Sequence, residues 1–307
     1  MPSLRKVLKW IFVLGPAVIV SALPAPAPYP KVPARPRLEA RQAAAPAITD
    51  IDILQFALTA EHLESAFYAQ GFAKFPASDF KALGLSDASI TALLAVGQSE
   101  ATHVSTLLSA IASAGFQPVQ PCTYNFGFTD AAAMVATARV LEAVGISAYL
   151  GAAPLINSSA VLSVAASIAT VEARHQTFIR GASGATPIPA AFDTPLGVRG
   201  VFTLAAAFIS SCPSGSNLNI QAFPAIALQN PNLATSGQSL VLADAAQPAG
   251  AKFCAFIAPG ETQFAPFTNG GCVVPQNLAG EVYMLVTNAE SVDDSAVLAG
   301  PSVLSVS

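Results

Sequence analysis

The stretch "VEARHQTF", Val171 to Phe178, decides the fold. It sets Glu172 and His175 three residues apart, close to one helical turn, so on a helix both side chains point the same way. The chain has only three histidines, and this one lies in an Ala-rich apolar segment. A carboxylate and an imidazole on a buried helix face need a partner: a metal ion, a salt-bridge mate or each other. The spacing occurs again in "SEATHVST", with Glu100 and His103. Only 10% of the chain is charged, against about 25% in average globular proteins. Each ionisable group inside an apolar run is therefore costly and informative.

Working outward, four segments carry helical periodicity. The first runs from about Asp50 to Phe72, with Leu54, Ala57, Leu58, Glu61, Ser65 and Tyr68 on one face. The second starts at Ser86-Asp87, good N-cap residues, and ends at Ala114-Gly115, where glycine suits the residue after the helix. The third runs from Thr129-Asp130 to about Ala152, before Pro154. The fourth runs from Ser158-Ser159 to Gly181. A fifth helix is predicted after Asp193, with Pro195 in its first turn, ending at Ser211. Beyond Cys212 the character changes. Short alternating runs, "SLVLAD", "KFCAFIA", "GCVVP" and "EVYMLVT", are separated by Gly, Asn and Pro turns, which predicts a small β domain of sandwich type. The expected class is α+β in separate domains: a helical bundle over residues 48–212 and a β domain over 213–307.

Each of the four long helices carries a glutamate. Two carry Glu-x-x-His. The other two carry Glu followed seven residues later by Tyr: Glu61 with Tyr68, and Glu142 with Tyr149. The order Glu, Glu-x-x-His, Glu, Glu-x-x-His is a degenerate two-fold repeat of one helix pair. Four buried carboxylates would repel one another, and two divalent cations would balance them. An oxygen-rich set with histidine suits iron or manganese, and zinc could enter adventitiously.

These residues resemble the ferritin-like carboxylate-bridged dimetal superfamily, a four-helix bundle with one Glu from each of two helices and Glu-x-x-His from each of the other two. The secretion signal, the fifth helix and the appended β domain further resemble the secreted ferritin-like proteins of fungi, related to Rds-type stress-response and plant desiccation-related proteins. The motif resemblance covers roughly residues 48–212. It implies two iron or manganese ions, with Glu100 and Glu172 bridging, Glu61 and Glu142 terminal, and His103 and His175 on one ion each. It also implies dioxygen or peroxide as a small oxidant. Tyr68 and Tyr149 lie two turns from their glutamates and are placed either to donate hydrogen bonds to ligating carboxylates or to serve as plain core aromatics. Glu64 sits at the edge of the core face, solvated or supporting a ligand from behind. His62 is expected on the surface, about 100° round the helix from Glu61. Arg139 either pairs with a carboxylate or reaches water.

The start of the chain reads as a secretory signal, residues 1–22: Arg5, Lys6 and Lys9, an apolar run from Trp10 to Val20, and a Val20-Ser21-Ala22 cleavage site. A membrane anchor is the alternative, but the run is shorter than the roughly 20 residues needed to span and contains a proline. Residues 23–47 read as a Pro/Ala/Arg-rich linker, and no later stretch is expected to reach membrane length. Cys122, Cys212, Cys254 and Cys272 suggest two disulfides in a secreted chain. Of three connectivities, Cys122 with Cys212 and Cys254 with Cys272 is favoured, because the second pair lies in the β-type region. Asn157-Ser158-Ser159 is a glycosylation sequon. A net charge of −4 with no basic cluster after the leader argues against nucleic acid. Three functions fit: an enzyme acting on a small oxidant, an extracellular metal-binding protein without turnover, or a surface or wall protein whose β domain binds a partner. The C-terminal "VLAGPSVLSVS" is too short and polar for a GPI signal.

Overall fold

The structure is a computed structural model that describes residues 48–216, 218–229, 234–243 and 248–306. The leader and linker expected over residues 1–47 lie outside the described residues. The four long helices are α1 (Asp50–Lys74), α3 (Asp87–Ser113), α4 (Ala131–Ala152) and α5 (Ser159–Ala182). Local chemistry sets their starts. Thr49 and Asp52 cap α1 reciprocally, and Ser86, Asp130 and Ser158 each accept a backbone N–H at the start of α3, α4 and α5. After α3 the chain turns at Gly115, whose φ of 85° is open to a residue without Cβ. A short helix, α2 (Ala77–Ala82), fills the linker between α1 and α3.

The four long helices form a bundle in which α1 packs chiefly on α3 and α4 on α5. The crossover from α3 to α4 is pinned to α1. Gln55 Nε2 donates to the Gln117 carbonyl, Gln55 Oε1 accepts from Val119 N–H, and His62 Nε2 lies 3.2 Å from the Val119 carbonyl. The crossover then forms β1 (Thr123–Tyr124), which pairs antiparallel with β2 (Ile209–Ser211). Cys122 is bonded to Cys212 beside that pair.

The fifth helix differs from expectation. It is α6 (Val198–Ala206). Pro195 precedes it, because Leu196 N–H donates to the Ser147 carbonyl and holds that segment extended along α4. Residues 209–211 leave the helix because their backbone is taken up by β1 next to the disulfide.

The C-terminal region has a four-stranded antiparallel sheet in the order β5 (Glu261–Pro266), β4 (Phe253–Ala258), β7 (Gly280–Thr287), β8 (Val297–Val306). A separate antiparallel pair joins β3 (Ser239–Val241) to β6 (Gly271–Val273). Leu240 and Cys272 from the pair share a core with Phe256, Met284 and Leu304 from the sheet, and the Cys254–Cys272 disulfide links the two. Two strands were not legible as such. β5 is polar and lies at an edge, and β8 contains Gly300-Pro301, which an edge strand tolerates.

Every residue of β7 is buried, because the helices cover its second face. Tyr283 packs with Phe56, Val144, Ala148, Leu196 and Val201. Its hydroxyl donates to the Ala143 carbonyl at 3.0 Å and lies 2.7 Å from Ser147 Oγ. Arg180 on α5 pairs with Glu281 on β7, and Arg139 on α4 stands 3.7 Å from the same carboxylate. The sheet therefore backs α4 and α5. Against the expectation that no later stretch reaches membrane length, Ala131–Leu155 is long and apolar enough by composition to cross a membrane, because α4 and the turn after it form one continuous apolar run. Most of it is buried against its neighbours, and it carries Glu142.

Candidate metal centre

The packing of α1, α3, α4 and α5 brings one glutamate from each helix to the bundle axis. Glu61, Glu100, Glu142 and Glu172 are all 0% exposed, and His103 and His175 are buried beside them. Four buried carboxylates without compensation are untenable at neutral pH.

His103 Nδ1 lies 3.2 Å from Glu61, 3.0 Å from Glu100 and 3.1 Å from Glu172. His175 Nδ1 lies 2.8 Å from Glu100 and 3.3 Å from Glu142. The groups therefore fall into two overlapping sets: Glu61, Glu100, His103 and Glu172, and Glu100, Glu142, Glu172 and His175. Within each set one ligand atom per residue lies within 4.8 Å of every other. Glu100 and Glu172 belong to both.

The donor set fits bound metal on an observation independent of its composition. Glu100 Oε1, Glu142 Oε2, both oxygens of Glu172 and His175 Nδ1 are buried without a well-aligned hydrogen bond, and the contacts of 2.8 to 3.3 Å that they make run within the cluster itself. Buried polar atoms are nearly always well paired, so five imperfectly paired ligand-type atoms in one cluster suit a bound cation.

The tyrosines sit behind the carboxylates in a crossed arrangement. Tyr149 on α4 donates to Glu61 Oε1 on α1 at 2.6 Å, and Tyr68 on α1 donates to Glu142 on α4. Each orients the glutamate of the opposite helix and leaves that glutamate's other oxygen facing the centre. Burial, and then the charge of these carboxylates, pushes both phenols well above their usual range, so they remain donors.

Burial dominates the carboxylates and pushes Glu61, Glu142 and Glu172 upward. Burial also raises Glu100, but hydrogen bonds from His103 and His175 outweigh it and hold Glu100 at about 2. Burial opposes charge on the histidines, yet their carboxylate partners raise His103 to about 12 and His175 to about 10. Without metal, the imidazoles thus carry protons that cations would displace.

Two expectations for α1 change. His62 is buried, because its ring lies under the crossover at the Val119 carbonyl, and burial lowers its pKa. Glu64 is 4% exposed and faces Glu172, so it is not solvated. Ser99 was not singled out from the sequence. Its hydroxyl lies 2.9 Å from His175 Nε2, on the ring edge away from the carboxylates. Its only sequence signal is its place directly before Glu100. Asn157 is exposed in the turn before α5.

Residues 49–185 match the family model described as the ferritin-like domain. The chain is 28% identical over 189 residues to Protein rds1 of Schizosaccharomyces pombe, covering 61% of this chain and 46% of that protein. It thus spans about half the length of this curated relative. The crystal structure of a conserved hypothetical protein from Mycobacterium tuberculosis aligns with a TM-score of 0.37 and 20% identity, over 47% of this chain and 96% of that one.

Proposed function

We propose that this is a secreted ferritin-like protein that holds a dinuclear iron or manganese centre. One observation carries the reading: two ligand sets that share Glu100 and Glu172 and leave buried ligand atoms imperfectly paired. In it Glu100 and Glu172, which belong to both sets, would be shared between the ions, Glu61 with His103 would complete one site, and Glu142 with His175 would complete the other. Such a centre, when bound, supplies redox chemistry toward dioxygen or peroxide, of oxidase, peroxidase or catalase type. The chain's own contribution is a dry, pre-formed pocket in which Tyr68 and Tyr149 fix the terminal carboxylates and Ser99 fixes one imidazole. Two disulfides and the leader-type N-terminus support secretion, where oxidising conditions keep such bonds. Exposed Asn157 within its sequon supports a glycan there. The resemblance to Rds-type proteins supports a role in stress response.

A second reading, metal binding without turnover, draws on the complete burial of the four carboxylates. The test is elemental mass spectrometry of the secreted protein. About two iron or manganese atoms per chain are expected. No transition metal after anaerobic loading with either ion overturns the centre. With metal present, absence of dioxygen or peroxide consumption selects binding without turnover.

A further inference from the structure

Gln176 follows His175 on α5, and Ala143 follows Glu142 on α4. Each lies about 100° round its helix from that neighbour. Both line an open cleft of about 280 Å³ where α4 and α5 meet β7. A Pro-rich strap, residues 187–194, supplies much of the rest of its lining. The strap is fastened at both ends. Arg180 Nε donates to the Thr186 carbonyl at 2.6 Å, and Thr194 Oγ1 donates to the Glu281 carbonyl at 3.0 Å. Between them Pro189 rests on Gly280, where a Cβ would stand 3.1 Å from the proline ring.

The cleft is built on buried polar groups. Arg180 is 4% exposed and is paired with Glu281, which is 9% exposed. Gln176 is 6% exposed, and its Oε1 is buried with no hydrogen-bond partner. An unpaired buried amide oxygen is costly, and the lining of a cleft is where a ligand hydroxyl relieves that cost. The strap presents the opposite character. Its Ile188 and Phe192 are 75% and 70% exposed. The ionic groups balance: Asp193 and Glu281 stand against Arg180, and Arg139 lies 3.7 Å from Glu281.

We propose that this cleft binds a neutral sugar ring, with hydroxyls on Gln176 and Asp193 and its C–H face on Phe192. The ligand class follows from the lining. Each sugar hydroxyl both donates and accepts, as the Gln176 amide does, and the Asp193 carboxylate accepts. An aromatic face takes the apolar side of the ring. A phosphate or carboxylate would meet two carboxylates, and a cation would meet a guanidinium. The volume lies just under the range of about 300–1,000 Å³ typical of drug-sized ligands, which suits one ring. The site stands apart from the dinuclear reading and does not depend on it.

The test uses the full chain with the methyl glycosides of glucose, mannose, galactose and N-acetylglucosamine, each at up to tens of millimolar. Saturation-transfer NMR is expected to show contact with at least one of them, strongest at ring C–H protons. The melting temperature is expected to rise with its concentration. Phe192→Ala and Gln176→Leu are each expected to weaken that binding about tenfold. Phe192 is exposed, so its variant should fold. Gln176→Leu removes an unpaired oxygen and should melt no lower than the parent. If it does not fold, Phe192→Ala decides alone. No contact with any of the four glycosides overturns the proposal, as does full binding by either folded variant. Acetate and inorganic phosphate are the charged alternatives. Either one binding where no sugar does overturns the ligand class.

Discussion

The two halves of the bundle, α1 with α3 and α4 with α5, present the same groups to the axis and differ in what stands around them. Each half gives a lone glutamate, a tyrosine seven residues on and a Glu-x-x-His. Where the first half has Ser99 before its Glu-x-x-His, the second has Val171. Where the first has Glu64, the second has Gly145. Both differences act across the bundle: Ser99 holds the His175 of the other half, and Gly145 makes room for the Glu64 of the other half. The repeat supplies a symmetric pair of ligand sets, and the exceptions make their surroundings unequal. One set has a hydroxyl behind its imidazole. The fifth buried carboxylate, Glu64, lies beside Glu172, which both sets share.

The largest effect comes from breaking what the halves share. Glu100→Ala or Glu172→Ala should remove both metals, whereas Glu61→Ala or Glu142→Ala should leave about one per chain, counted by elemental mass spectrometry. Equal loss in all four variants would sink the assignment of two bridging and two terminal carboxylates.

Next comes pH, which sets imidazoles against carboxylates. The native metal-free protein raises His103 to about 12 and His175 to about 10 from the ordinary 6.5. A raised pKa contributes stability that is complete below pH 6.5 and lost as pH rises through the folded values. Glu61, raised by burial from 4.5 to about 7, loses stability in the same direction between those values. Glu100, held at about 2, has the opposite sign: its contribution is present above 4.5 and lost as pH falls toward about 2. The melting temperature of chelated protein should therefore drop by several degrees between pH 6.5 and pH 9. Metal-loaded protein should show no such drop, because cations have displaced the protons. Parallel pH curves with and without chelator would contradict the site.

A smaller change makes the halves more alike. Gly145→Ala places a methyl against Glu64 and Glu172. It should destabilise the protein by about 1–3 kcal/mol in denaturant titration, as overpacking does. Glu64→Ala combined with Gly145→Ala should recover most of that loss. An additive double variant would mean that Glu64 does not occupy the space that Gly145 leaves. The smallest effect is Ser99→Val, which copies Val171 into the first half. It should weaken the His175 site about tenfold, the low end for losing a group that orients a metal-bound histidine. Isothermal titration would then show two unequal binding steps drawn further apart. Unchanged affinity would make Ser99 incidental.

The sequence by itself determined the ligand types and their grouping by helix. Glu-x-x-His spacing and the seven-residue Glu-to-Tyr spacing are local periodicities, set by helical geometry before any helix meets another. The starts of α3, α4 and α5 were legible for the same reason, since Ser86, Asp130 and Ser158 satisfy N–H groups within their own first turns, whereas the cap at Thr49 was not singled out. Only the tertiary structure decided which tyrosine serves which glutamate, that Ser99 reaches His175, that His62 is covered and that Glu64 stands where Gly145 gives way. It also decided that β7 is buried on both faces and that the expected fifth helix yields to strand pairing at residues 209–211. Each of these depends on contacts between segments far apart in the chain. No periodicity within one segment records them, because the free energy that fixes them is paid out only when the helices and the sheet pack together.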